Sequence, residues 1–224
     1  LVRPGDVVTR ERAMARLGDL VTCKSLDNRA GLYVMIEAFR ALGEHACEVV
    51  AVASVQEEVG LRGARVATQR VRPRIGLAID ITLANDGPEA KPPGRSTRLG
   101  GGAAIKVYDT SASVPAALVD HLVAVAQERG IATQLEVMVR GGTDTRELGL
   151  SGDGPLAGCL SIPTRPVPQV VAACHPDDLD ALPRPRMPHP PHESIMHGPA
   201  TASSPPLLLL TYIPHIRLSR PCRY

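Results

Sequence analysis

The segment Ala51 to Gly60, AVASVQEEVG, ends an apolar run on two adjacent acids, Glu57 and Glu58, followed by a Val-Gly turn signal. Neighbouring carboxylates repel one another unless a cation or a shared proton intervenes. Two further acids fall at the ends of expected elements: Asp27 just ahead of a helix and Asp80 near the end of a strand. Four carboxylates gathered in one crevice can hold divalent metal between them. The doubled glutamate could then divide the labour. One carboxylate ligates, while its neighbour takes the proton of a water whose pKa the ion lowers toward ~7. On spacing alone a second reading stays open, in which Glu57 and Glu58 are a solvated loop pair and Asp27 and Asp80 cap a helix and a turn.

The elements that would position these acids are legible as alternating strands and helices. Apolar side chains at Leu32, Met35, Ile36 and Phe39 predict a helix over 29–42 with that stripe packed inward, stopped at Gly43. Small apolar runs at Cys47–Val55, Ile75–Ile81, Leu135–Val139 and Cys159–Ile162 read as strands buried on both faces. Pro115 opens a second amphipathic helix carrying Leu118, Leu122 and Val125, and Gly130 closes it. A short helix is expected from His175-Pro176, cut off by Pro183 and Pro185. The alternation implies an α/β layered sheet, whose ligands sit outside the carboxyl ends of the strands. From Pro183 onward the chain holds 10 of its 21 prolines and four of its seven histidines without a sustained period, and no packed structure is expected there.

Composition narrows the classes. At 224 residues the chain fits one core plus an appendage. Its 25 basic and 23 acidic residues leave a net charge of +2, with only 2% aromatics, so neither a basic stripe nor stacking platforms for nucleic acid are present. Five cysteines without a C-x-x-C pair fit reduced thiols in a cytoplasmic protein. The leucine run Leu207–Leu210 is far too short to span a bilayer, and LVRPGDVV lacks both an initiator Met and a signal pattern, so a soluble chain starting mid-protein is expected.

Six ordered blocks carry a more specific signal: KSLDNRAG (24–31), VASVQEEVGLRGA (52–64), IGLAIDITLANDGP (75–88), LGGGAAIKVYD (99–109), RGGTDT (140–145) and LSIPTR (160–165). Together they resemble the tetrahedral aminopeptidases, also called glutamyl or deblocking aminopeptidases, metallopeptidase family 42. The resemblance implies a three-layer α/β sandwich with a mixed, mostly parallel sheet and an activity that removes N-terminal residues from short peptides through a water activated by two divalent metal ions, zinc or cobalt. It implies Asp27 as the bridging metal ligand, Glu57 as general base, and Glu58 and Asp80 as terminal ligands of one metal each. Gly141, Gly142 and Thr143 would line the substrate side, and the Asp27–Asn28 peptide would be cis. Family members assemble as homo-oligomers, from dimers to dodecamers.

The same resemblance divides the chain into residues 1–22, a remnant of a small β-rich dimerisation domain otherwise largely missing, a catalytic domain over 23–182, and an aberrant tail over 183–224. It also exposes two departures. The family's first histidine ligand lies upstream of the segment present, and its last follows the IPTR-like block as R-Y-x-H, where this chain reads Arg165-Pro-Val-Pro168-Gln. Proline cannot ligate metal. His45, His121 and His175 read as a loop, a helix-surface and a helix-capping residue, so an alternative is a non-catalytic fragment of that family, lacking both histidine ligands.

Overall fold

The computed structural model describes residues 2–6, 8, 12–45, 47–87, 96–167, 171–182 and 207–212. Along the chain these form β1 (Ala15–Leu17), β2 (Leu20–Lys24), α1 (Leu26–Arg40), β3 (Val49–Ser54), α2 (Arg62–Val71), β4 (Ile75–Leu83), β5 (Ala103–Asp109), β6 (Ala112–Ser113), α3 (Ala116–Glu128), β7 (Thr133–Val137), α4 (Thr145–Gly149), β8 (Leu156–Val167), β9 (Val171–Cys174), α5 (Pro176–Ala181) and β10 (Leu207–Tyr212).

The ten strands make one mixed sheet in the order β1-β2-β9-β8-β4-β10-β3, with β5 branching from β8 and carrying β6 and β7. Its centre is parallel: β8, β4, β10 and β3 all run the same way, with Ile75 opposite Leu156, and Leu207 opposite both Ile75 and Val49. Because side chains alternate along a strand, neighbours in β4 serve opposite layers. Ile79 joins α1 and α5 in a core with Ala30, Val34, Met35, Ile162 and Leu209, whereas Ala78 joins Ala64 of α2 and Leu148 of α4 with Cys159, Leu208 and Leu210. α3 lies on the α1 side, packing Val114, Leu118 and Val119 over Ile105. The result is the expected three-layer α/β sandwich.

Several expectations change. The tail is not without packed structure: β10 inserts between β3 and β4, with Leu208 and Leu210 fully buried and the strand hydrogen-bonded on both sides. Four consecutive leucines are too few to distinguish strand from helix by period, and the prolines around them hid a segment that only the open slot between β3 and β4 selects. The boundary drawn after residue 22 falls within β2, which pairs with β9, Val21 opposite Cys174. The buried face of α1 keeps half of the stripe expected: Met35 is buried and Leu32 packs against the core, joined by Ala30 and Val34, while Ile36 and Phe39 are exposed. Among the strands expected to be buried on both faces, β3 and β7 are edge strands of the described sheet, with Ala51 and Ala53 of β3 exposed and Leu135 and Val137 of β7 more than half exposed. Pro115 does precede α3, Gly130 follows it with φ +63°, and His175 caps α5 by accepting the Asp177 N–H through its ring at 3.2 Å.

Candidate active site

Each expected acid is held by local structure that its motif residues explain. Asp27 sits where β2 turns into α1: Ser25 is left-handed, Asp27 and Asn28 are non-helical, and the peptide between them is cis. Asn28 is fully buried and locks this turn by donating to the Ile79 carbonyl at 2.8 Å and to Thr211 Oγ1 at 3.0 Å, while accepting the Gly31 N–H at 2.9 Å. A Cβ at position 31 would stand 2.3 Å from Asn28 Oδ1, which accounts for the glycine of LDNRAG.

Glu57 and Glu58 follow β3 in a tight loop. Gln56 takes φ +60°, the Gly60 and Leu61 N–H groups both bond the Glu57 carbonyl at 2.9 Å, and Gly63 N–H returns to the Val55 carbonyl. A side chain at position 63 would strike the Val55 backbone at 2.5 Å. Glu57 is half-buried and Glu58 exposed. Asp80, 8% exposed, lies near the carboxyl end of β4 and accepts the Ile81 N–H at 2.8 Å.

The electrostatics bring these acids together and add one that the sequence reading did not single out. Burial, then the charges of Asp144, Glu58 and Asp27, push Glu57 up to about 7. Burial, then Asp27 and Glu57, push Asp80 well above the carboxylate range against the pull of the Ile81 N–H. Asp144 precedes α4, is 3% exposed, accepts the Ser54 hydroxyl at 3.1 Å, and is raised to about 6, chiefly by burial and further by Glu147. Thus four segments, β2–α1, β3–α2, β4 and the start of α4, supply carboxylates whose charges act on one another. Asp144 stands inside the quoted RGGTDT block. The available signal was an acid following two glycines at the start of a helix, which by itself is indistinguishable from a cap.

The substrate-side loop is divided. Gly141, with φ +93°, and Gly142 are exposed, and a Cβ at position 142 would meet Ser111 Oγ at 2.5 Å. Thr143 turns inward, 2% exposed, donating to Asp109 Oδ2 at 3.1 Å and bonding Thr145 Oγ1 at 2.8 Å, so its side chain braces the loop. His45 bonds the Gly43 carbonyl in its loop, His121 lies on α3, and His175 caps α5, as expected. Pro168 lies outside the described residues.

Among the described residues no group of three or more His, Cys, Asp or Glu side chains is already drawn into a metal-ligand cage. The donor set nevertheless fits divalent cations: it is all carboxylate, and burial together with neighbouring acids raises Glu57, Asp80 and Asp144, so each would be stabilised as a carboxylate by a cation. Oxygen donors alone suit hard cations better than zinc or cobalt. A surface hollow of about 430 Å³ lies at the amino ends of β4 and β8, and one of about 290 Å³ is lined by Ser111, Thr145, Arg146 and Ala157.

A family profile for M42 glutamyl aminopeptidase matches residues 1–184. A protein named putative aminopeptidase from Acetivibrio thermocellus is 37% identical over 180 residues, covering 80% of this chain and 54% of that protein. The lysyl aminopeptidase of Pyrococcus furiosus is 39% identical, covering 69% and 44%. Among solved structures, aminopeptidase APDkam598 from Desulfurococcus kamchatkensis superposes with a TM-score of 0.71 at 35% identity, covering 77% of this chain and 49% of that one. The Pyrococcus horikoshii TET1 peptidase, described as assembling into a tetrahedron or a large octahedral shell, has a TM-score of 0.65 at 30% identity, covering 76% and 50%. The chain therefore spans about half the length of these relatives.

Proposed function

Since this chain belongs to the M42 glutamyl aminopeptidase family, we propose that it carries the catalytic half-site of a metalloaminopeptidase that hydrolyses the first peptide bond of short peptides. The observation that supports this most directly is the meeting of Asp27, Glu57, Glu58 and Asp80 at the carboxyl ends of β3 and β4, delivered by separate segments. Asp27, Glu58 and Asp80 would hold two divalent ions, zinc or cobalt by analogy with the family. Bound there, such ions supply Lewis-acid polarisation of the scissile carbonyl and acidify water. Glu57 is the base: its carboxylate takes the proton of the attacking water and passes it to the leaving amine. Asn28 and Gly31 orient Asp27 through the bonds above, and the Gly60 and Leu61 N–H groups fix the backbone of Glu57. Short peptides enter past Gly141 and Gly142, the exposed part of the neighbouring loop.

The relatives' assemblies favour a homo-oligomer, and the free thiols of Cys23, Cys47, Cys159 and Cys174, with no C-x-x-C pair in the sequence, support a cytoplasmic setting. No described helix is long and apolar enough to cross a membrane. A second reading rests on a specific observation: none of the three described histidines joins the acids. In that reading the chain is a non-catalytic fragment that binds metal weakly. The deciding experiment measures metal content and hydrolysis of an aminoacyl chromogenic substrate by this chain and by Glu57→Gln. Turnover that the substitution abolishes establishes the peptidase; metal-independent absence of turnover establishes the fragment.

A further inference from the structure

Asp144 has no task in the mechanism above, yet it is the most buried of the acids that act on Glu57. Its Oδ2 accepts the Ser54 hydroxyl at 3.1 Å, while its Oδ1, buried as well, has no hydrogen-bond partner. Such an orphaned oxygen is costly to keep unless something outside the chain donates to it. The carboxyl belongs to the crevice: its charge is the largest bearing on Glu57 and also reaches Asp80, whereas Glu147 on its own helix is engaged by Arg65 through two bonds.

We propose that Asp144 receives the α-ammonium group of the peptide's first residue, with Oδ1 as the acceptor and Ser54 as the positioning residue that fixes the carboxyl through Oδ2. This rests on the aminopeptidase reading and supplies what it lacks, a means of measuring the substrate from its free end. An ammonium is donor-only, which complements an unpaired carboxylate oxygen. A third metal fits less well, because one Asp144 oxygen is already committed to the Ser54 hydroxyl. The elevation of Asp144 to about 6 is in keeping with a group that gains most when a cation reaches it. Peptides with an acetylated N-terminus, which have lost the charge and keep a single amide N–H, are then disfavoured by recognition.

Titration calorimetry of the full chain, with and without zinc, compares L-leucinamide with 4-methylpentanamide, which keeps the side chain and the amide but has no amine. Leucinamide is expected to bind at least about tenfold tighter, the value of one charge-assisted hydrogen bond. Asp144→Asn should erase that preference, Asp144→Glu should restore part of it, and Ser54→Ala should reduce it, all with zinc stoichiometry unchanged. A preference that survives Asp144→Asn overturns the assignment, as does a loss of zinc in that variant, which would make Asp144 a ligand. If hydrolysis depends on Glu57 while the preference ignores Asp144, only this inference falls. If the chain neither hydrolyses peptides nor binds either amide, both readings fall.

Discussion

Replacing Lys106 by methionine tests the most exposed assumption about what holds this sheet together. Lys106 on β5 and Glu136 on β7 are register partners, both fully buried, with Nζ 2.9 Å from Oε2. Thr82, two residues beyond Asp80 on β4, donates to Glu136 Oε1 from the same face, so the pair braces the strand end that carries a site carboxylate. Burial pulls the Lys106 amine down, but Cys159, Glu136 and Asp109 outweigh it and hold the group above its ordinary value, so it is charged. Removing one member of such a pair strands the other charge at a cost of ~3–5 kcal/mol, a large fraction of the ~5–15 kcal/mol typical of a domain. Removing both leaves only the Thr82 hydroxyl without its acceptor, a penalty of ~1–3 kcal/mol. Urea unfolding followed by circular dichroism should therefore show Lys106→Met as markedly destabilised and Lys106→Met/Glu136→Leu as partly restored, the double variant losing at least ~3 kcal/mol less than Lys106→Met and Glu136→Leu summed. Additive losses within ~0.5 kcal/mol would refute the argument that the stranded charge, rather than lost packing, sets the cost.

Other outcomes follow from single contacts. In the metal-free chain Asp144→Asn should be stabilising at pH 8 by up to ~3 kcal/mol and nearly neutral at pH 4. The sign follows because the folded pKa of about 6 lies above the ordinary value of 3.8, so the penalty is small at pH 4, builds between the two values and is complete above 6; thermal melts at the two pH values check it. Leu210→Ala, at a fully buried position in the core beside α2 and α4, should cost ~2–5 kcal/mol and lower protection of β3 amides in hydrogen exchange, because β3 has β10 as its partner strand. No loss would mean the strand is dispensable. Asp178→Ala removes the carboxylate that accepts the Gly100 and Gly102 N–H groups, each at 2.8 Å, and should cost ~2–4 kcal/mol in a denaturant midpoint assay. An unchanged midpoint would show that α5 does not pin the loop ahead of β5.

The parts of this protein legible in its sequence were those specified by local chemistry. Pro115 and Gly130 bracket α3 because one lacks a backbone donor and the other accepts positive φ, and His175-Pro176 starts α5 for the same kind of reason. Glu57, Glu58, Asp27 and Asp80 could be named because each falls at the end of an element whose period shows in the residues beside it. β5 escaped notice because Lys106 and Asp109 interrupt its apolar run, and only Glu136, 30 positions away in sequence, makes a lysine tolerable there. The orientation of α1 was likewise undecided: Phe39 and Ile36 look like core, but the sheet surface admits Ala30, Val34 and Met35. Asp144 becomes a site residue only because Ser54 and Glu57 stand beside it, a matter of how β3 and α4 approach. β10 is the extreme case. A run of four leucines carries no period that selects strand over helix, and it became a central strand because β3 and β4 leave a gap one strand wide whose backbone groups must be paired.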